Sequence, residues 1–187
     1  MRSWIVGVLI LMAADAGAEL RVRPIDWAQP VIGFKIDNFY KIDEAVYRSE
    51  QPNSKDMKAL EEAGIRSALN LREYHSDADE AKGTHIQLYR VAMNAGEIYD
   101  TLIAKALYSI DRAKKPILIH CWHGSDRTGA VVAMYRMVFQ NWPREKAIDE
   151  FKNGGFGYHE WWYPNIENYL KTVDIEKMKK AIASSGQ

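Results

Sequence analysis

The side chains with the most chemical potential fall in one decapeptide, His120-Cys121-Trp122-His123-Gly124-Ser125-Asp126-Arg127-Thr128-Gly129. A cysteine thiolate is a strong nucleophile. Arg127 carries a planar fork that matches two oxygens of a phosphate. The run Ile117-Leu118-Ile119, bounded by Pro116, reads as a buried strand. From Thr128 to Phe139 the pattern Ala130, Met134, Met137, Val138 suits a helix buried over much of its circumference. A strand ending at His120, a five-residue turn and a helix starting near Thr128 gather backbone N–H groups and the positive end of the helix around one point. Such a nest binds a dianion. The same field favours the thiolate form of Cys121.

Each residue of this stretch has an expected part. Gly124 permits the tight turn, Gly129 lets the helix approach the sheet, and the Thr128 hydroxyl can donate to the sulfur. Trp122, His123, Gly124, Ser125, Asp126 and Arg127 make up the phosphate-binding loop, with Trp122 and His123 either shaping the cleft or serving as passive spacers. No metal is expected. His120 and His123 have no further Cys/His cluster around them, and a thiolate in an amide nest needs no ion or other cofactor.

The elements that must position this loop can be read along the chain. Residues 19–44 are mixed, with Pro24 and Pro30, and are expected to wrap the edge of the domain. Ala45 to Arg48 reads as a short strand. Ser54 can cap a helix over 55–63, where Met57, Leu60 and Ala63 recur at helical spacing before Gly64. Ile65 to Leu71 and His85 to Met93 read as strands, separated by a polar loop from Arg72 to Gly83. A helix over 97–113 carries Ile98, Leu102, Ala106 and Ile110 on one face, and two or three shorter helices fill 143–182. Alternating strands and helices predict an α/β fold in one domain, with a central, mostly parallel sheet flanked by helices on both faces.

Composition narrows the possibilities. The 187 residues are 47% hydrophobic and 27% charged, which suits one globular domain with a substantial core. Twenty-five basic residues balance twenty-five acidic ones, so no overall field draws the chain to nucleic acid or an anionic membrane. Arg2, the apolar run Ile5 to Ala14 and the small residues Ala16-Gly17-Ala18 predict a signal peptide over residues 1–18, cleaved before Glu19. A buried N-terminal helix is the alternative. The run is shorter than the roughly 20 residues that span a bilayer, so no stable membrane association is expected after cleavage. Residues 19–187 would then form a secreted domain, periplasmic in a bacterium. The lone Cys121 can form no internal disulfide, and an unpaired thiol in an oxidising compartment implies a use for it.

The decapeptide resembles the signature H-C-x5-R-[ST]-G of the cysteine-dependent protein tyrosine and dual-specificity phosphatases. Val46-Tyr47-Arg48-Ser49-Glu50-Gln51-Pro52 is similar to a Y-R-S-x-x-P segment of the dual-specificity branch. Asn153-Gly154-Gly155-Phe156-Gly157 resembles a stretch in secreted bacterial members. The likeness covers residues 45–170 and is strongest in the loop. It implies hydrolysis of phosphate monoesters, on tyrosine and by extension serine or threonine of proteins, or of a small phosphate monoester. Cys121 would form a phosphocysteine, Arg127 would stabilise the phosphoryl oxygens, and His120 would orient the thiolate.

The chain departs from the family over the general acid. The loop after the third strand reads Met93-Asn94-Ala95-Gly96-Glu97-Ile98-Tyr99-Asp100, with no Asp in the expected slot. Glu97 and Asp100 are carboxylates close by, each of which could instead cap the following helix. Asp126 resembles the loop Asp of myotubularin-like lipid phosphatases, either as an acid or as a partner that orients Arg127 by a salt bridge. Phe156, Tyr158, Trp161, Trp162 and Tyr163 could wall a pocket for an aryl phosphate or form a satellite core. Three other functions compete. Asp126 suggests a phosphoinositide or inositol phosphate phosphatase, although the loop supplies no Lys or Arg before Arg127. A weakly active phosphate-binding pseudophosphatase would explain the missing acid. Sulfur transfer is disfavoured by the loop length.

Overall fold

The computed structural model describes residues 23–184, so the proposed signal peptide lies outside the described residues. Six strands form one mixed sheet in the order β1 (Gln29–Pro30), β2 (Tyr40–Lys41), β3 (Val46–Ser49), β6 (Ile117–His120), β4 (Ser67–Asn70) and β5 (Gln87–Arg90). β3, β6, β4 and β5 run parallel, and β1 and β2 extend the sheet as antiparallel strands built from the segment expected to wrap the edge. β6 lies inside the sheet with every residue buried, which is why its sequence is an unbroken apolar run rather than an alternating one. Its side chains still alternate in direction. Ile117 and Ile119 join one core cluster, and Leu118 joins the other.

The fold is α/β, with helices on both faces. On one face α1 (Ser54–Glu62) packs Met57 and Leu60 against Ala68 and Leu118. The opposite face is covered by α2 (Asp100–Arg112), α3 (Asp126–Phe139), α4 (Arg144–Asn153), α5 (Pro164–Thr172) and α6 (Ile175–Ser184). α3 is buried on nearly every side because it lies between the sheet and the other helices, as its all-round apolar pattern predicts.

Three local expectations are corrected. α1 is capped by Asn53, not Ser54: Asn53 Oδ1 accepts from the N–H of Lys55 (2.8 Å) and Asp56 (3.1 Å), and Asp56 returns a bond to the Asn53 N–H (2.9 Å). That reciprocal box needs an acceptor three residues past the cap, which Asp56 supplies for Asn53 and Met57 cannot supply for Ser54. α2 starts at Asp100 rather than near 97, because Asn94 draws the chain into a turn with its side chain on the Gly96 N–H and its carbonyl on the Glu97 N–H. Its buried face is accordingly Ile103, Ala106, Leu107 and Ile110. Gly129 makes room for α4 rather than for the sheet, since a Cβ there would lie 2.5 Å from the Phe151 ring.

Register sets up the site. Ser49 and Asn70 both lie level with His120 across the parallel pairs, so β3, β6 and β4 end side by side. The segments leaving those three ends share the crevice at the carboxyl edge of the sheet, where open α/β folds bind ligands.

Candidate active site

Cys121 follows directly on β6 and is 2% exposed. The next four carbonyls are all held by groups outside the loop or by the helix itself. Trp122 O accepts from the Gln51 N–H (3.0 Å), His123 O from Asn38 Nδ2 (2.8 Å), Gly124 O from Arg48 Nη2, and Ser125 O from the Gly129 N–H (2.9 Å). Across a trans peptide the N–H points opposite to the C=O. The N–H groups of His123, Gly124, Ser125 and Asp126 therefore turn to the other side, as an anion nest requires. Gly124 adopts φ +71°, and a Cβ there would fall on the Ser49 carbonyl, so only glycine fits. Asn38, itself at φ 55°, also bonds Phe156 O (3.0 Å) and so ties the loop to the C-terminal segment.

Cationic side chains ring the loop. Arg127 is the second residue of α3, which opens at Asp126, two residues before Thr128, with Nη1 3.4 Å from Met93 O and a buried Nε that has no partner. Arg48 is buried beneath the loop with its guanidinium 3.7 Å from the Phe156 ring centroid. Burial lowers its pKa to about 10, partly offset by Glu150 and by negative charge at Cys121, so it stays a cation at neutral pH. Arg72, leaving β4, lies 4.2 Å over the Trp122 ring and donates to Gln51 Oε1 (3.0 Å). Burial and the positive Arg127 nearby lower its pKa, while Asp77, Glu80 and Cys121 pull the other way.

His120 is fully buried, and its Nε2 lies 2.8 Å from Asp77 Oδ2. Asp77 comes from the polar loop after β4 and also accepts from Gln51 Nε2 (3.0 Å) and Asn70 Nδ2 (2.8 Å). Burial raises its pKa, but the His120 bond and charge together with Gln51 outweigh it and leave the carboxyl below its ordinary value. His75, Asp77 and Glu80 bring ligand-type atoms within 4.8 Å of one another. Both Asp77 oxygens are engaged, however, and His75 pairs with Glu80 at 3.0 Å.

The other expected residues separate. The Thr128 hydroxyl is buried in the first turn of α3 without a partner and makes no bond to the sulfur. Asp126 forms no salt bridge to Arg127. Its two oxygens face the N–H (3.0 Å) and Nδ1 (2.9 Å) of His159. Glu97 is exposed in the 94–97 turn and does not line the cavity at the loop. Asp100 sits in the first turn of α2, where it accepts from the Tyr169 hydroxyl (3.1 Å) away from the loop. That cavity, about 330 Å³, is lined by Trp122, His123, Asp126, Arg127, His159 and Trp162, with Ala95 and Tyr163. The C-terminal aromatics divide accordingly: Phe156 is core, Trp162 and Tyr163 wall the cavity, and Trp161 is exposed.

Asp77, Arg72, Asn38 and His159 were not singled out from sequence. The only hint for Asp77 was the polar composition of the loop from Arg72 to Gly83.

Comparison with known proteins agrees with the geometry. The model of the tyrosine phosphatase family matches residues 34–184. Dual specificity protein phosphatase TpbA of Pseudomonas aeruginosa is 28% identical over 196 residues, covering 98% of this chain and 88% of that protein. The crystal structure of a TpbA variant in complex with pTyr has a TM-score of 0.77 at 27% identity, covering 87% of this chain and 99% of that one. The catalytic core of the PP-IP phosphatase SIW14 from Saccharomyces cerevisiae has a TM-score of 0.69 at 26% identity, covering 82% and 95%.

Proposed function

The chain belongs to the tyrosine phosphatase family, as a cysteine-dependent phosphatase of its tyrosine and dual-specificity group, and we propose that Cys121 is its nucleophile and Arg127 its phosphate clamp. The observation that carries this reading is the outward commitment of the four carbonyls after Cys121, which leaves an amide bowl beside Arg127. The Cys121 thiolate attacks phosphorus in line while the ester oxygen departs, leaving a phosphocysteine. Arg127 and the loop amides hold the equatorial oxygens as charge develops on them. Water then attacks the phosphocysteine, releasing inorganic phosphate and the thiolate. The Asp77 bond fixes the ring of His120 directly before the nucleophile.

The substrate is proposed to be phosphotyrosine in proteins, with phosphoserine or phosphothreonine as further substrates. Trp162 and Tyr163 offer an aryl group a wall beside Arg127. One observation favours a second reading, hydrolysis of inositol phosphates. Arg72 brings a cation to the loop from outside it, which offsets the lack of a Lys or Arg before Arg127. SIW14 is an inositol diphosphatase by name. Measuring kcat/KM for phosphotyrosine peptides and for inositol phosphates decides between the two.

Replacing Cys121 by Ser should lower p-nitrophenyl phosphate turnover by on the order of 10⁴–10⁶-fold, while tungstate still binds by calorimetry. Undiminished turnover would falsify the assignment. We also propose that residues 1–18 export the protein, supported by the charged, apolar and small-residue pattern. No helix among the described residues is long and apolar enough to cross a membrane. Mass spectrometry of exported protein should find Glu19 at the N-terminus; a retained Met1 in that fraction rules out cleavage.

A further inference from the structure

The segment between α4 and α5 carries a histidine to the mouth of the loop. Asp126 holds His159 at two points, its Oδ1 accepting from the His159 backbone N–H and its Oδ2 facing ring Nδ1. Asp126 is buried in the first turn of α3, next to Arg127, so the grip comes from a rigid part of the molecule. The ring is not buried with it. The His159 side chain is 44% exposed and lines the same cavity as Arg127 and Trp162, with its centroid 5.6 Å from that of His123.

A carboxylate against Nδ1 settles the tautomer. Nδ1 carries the proton that it donates to Asp126, and Nε2 remains to exchange protons with whatever occupies the cavity. Asp126 itself is poorly placed to give up a proton, since both its oxygens already accept from His159.

We propose that His159, oriented by Asp126, protonates the leaving oxygen, the task for which the loop after β5 offers no Asp. This rests on the phosphocysteine reading above. As Cys121 Sγ bonds to phosphorus and the P–O ester bond breaks, Nε2–H of the imidazolium passes its proton to the departing oxygen, releasing an alcohol or phenol and neutral imidazole. In the second step the imidazole takes a proton from the attacking water as the S–P bond breaks, which returns the thiolate and the imidazolium. The charged and titratable groups that share the cavity with the ring are Asp126 and Arg127 on α3, His123 in the loop and Tyr163 on its own segment, while the adjacent Glu160 pairs with Lys152 and the Tyr158 hydroxyl donates to the Tyr163 carbonyl.

The test compares phenyl phosphate, whose leaving group needs a proton, with 2,4-dinitrophenyl phosphate, whose leaving group does not. His159→Asn keeps an amide donor where Nδ1 stood, so the tie to Asp126 can survive while Nε2 is lost. It should lower kcat/KM by about 10²-fold or more on phenyl phosphate and by less than about tenfold on the dinitrophenyl ester. The fall of kcat/KM at alkaline pH should also vanish with phenyl phosphate. Equal losses on the two esters would assign His159 a merely structural role, and no loss would make it a bystander; either result overturns the proposal. So would the leaving-group dependence appearing in Glu97→Gln instead, or the alkaline limb persisting in His159→Asn and disappearing in His123→Asn. Turnover by Cys121→Ser would overturn the underlying reading, whereas a dead Cys121→Ser beside an unaffected His159→Asn overturns the role of His159 alone.

Discussion

The two ends of α3 handle buried charge in opposite ways. Toward its C-terminal end, Arg136 forms a bidentate pair with Glu150 of α4, with Nε and Nη2 at 2.8 and 2.7 Å. Its Nη1 donates to Gln140 Oε1 at 2.7 Å, and Glu150 also accepts from the Ala28 N–H. At the start of the same helix, Arg127 Nε and Thr128 Oγ1 are buried without a partner, and so is His120 Nδ1 in the preceding strand. A buried polar group left unpaired costs about 1–3 kcal/mol, so groups of this kind are few in a folded chain and need an explanation. The Arg136 joint is finished scaffolding, since every charged edge is matched from within the chain. The loop end holds its carbonyls outward and its cations around a cavity, and a phosphate dianion is the kind of group that matches what is left over. Side-chain composition alone does not distinguish these two arginines; their partners do.

The largest expected effect breaks this comparison from the scaffold side. Glu150→Ala leaves Arg136 buried and unpaired, so unfolding free energy in urea should fall by about 3–5 kcal/mol, while kcat/KM per folded molecule stays within about twofold. The mirror experiment is Arg127→Lys, which keeps the charge and loses the fork. It should lower kcat/KM by about 10²–10³-fold with stability nearly unchanged. Should both variants lose activity and stability together, α3 would be one cooperative unit and the division between its ends would fail.

Much of this was legible in the sequence because the loop is local. Cys121, Gly124 and Arg127 lie within seven residues, between an apolar run and a helical pattern, so spacing alone brings them together. The residues that hold the loop are not local. His120 meets Asp77 across 43 positions, Asp126 meets His159 across 33, and Asn38 reaches His123 across 85. The polar run from Arg72 to Gly83 contains several carboxylates, and nothing in its pattern marks Asp77 as the one that turns inward. Asp126 shows the same limit from the other side. Its type and place were evident, but whether it would grip Arg127 or something else depended on a segment brought near by α4 and α5. The Asn53 cap was readable in principle, since Asn53 with Asp56 is a local pattern.

Asp77 sharpens the comparison because it belongs to both kinds of region. It is fully bonded, like Glu150, yet its partner is the histidine before the nucleophile. Asp77→Asn replaces an accepting oxygen by an NH2 group, which either faces the amide donors of Gln51 and Asn70 or forces His120 into its other tautomer, so stability at pH 7 should fall by about 1–3 kcal/mol, less than for Glu150→Ala. The folded-state pKa of Asp77 is lowered, so its contribution is complete above the unfolded value of about 3.9 and is lost as pH falls through the lower folded value. The stability gap between wild type and Asp77→Asn should therefore hold constant from pH 7 to about pH 5 and narrow as the pH is taken below about 4. Urea titrations at pH 7, 5 and 3 read it directly. A gap that widens with acid would mean that the carboxyl is protonated in the folded protein, and that the His120 ring is not held by a charged partner.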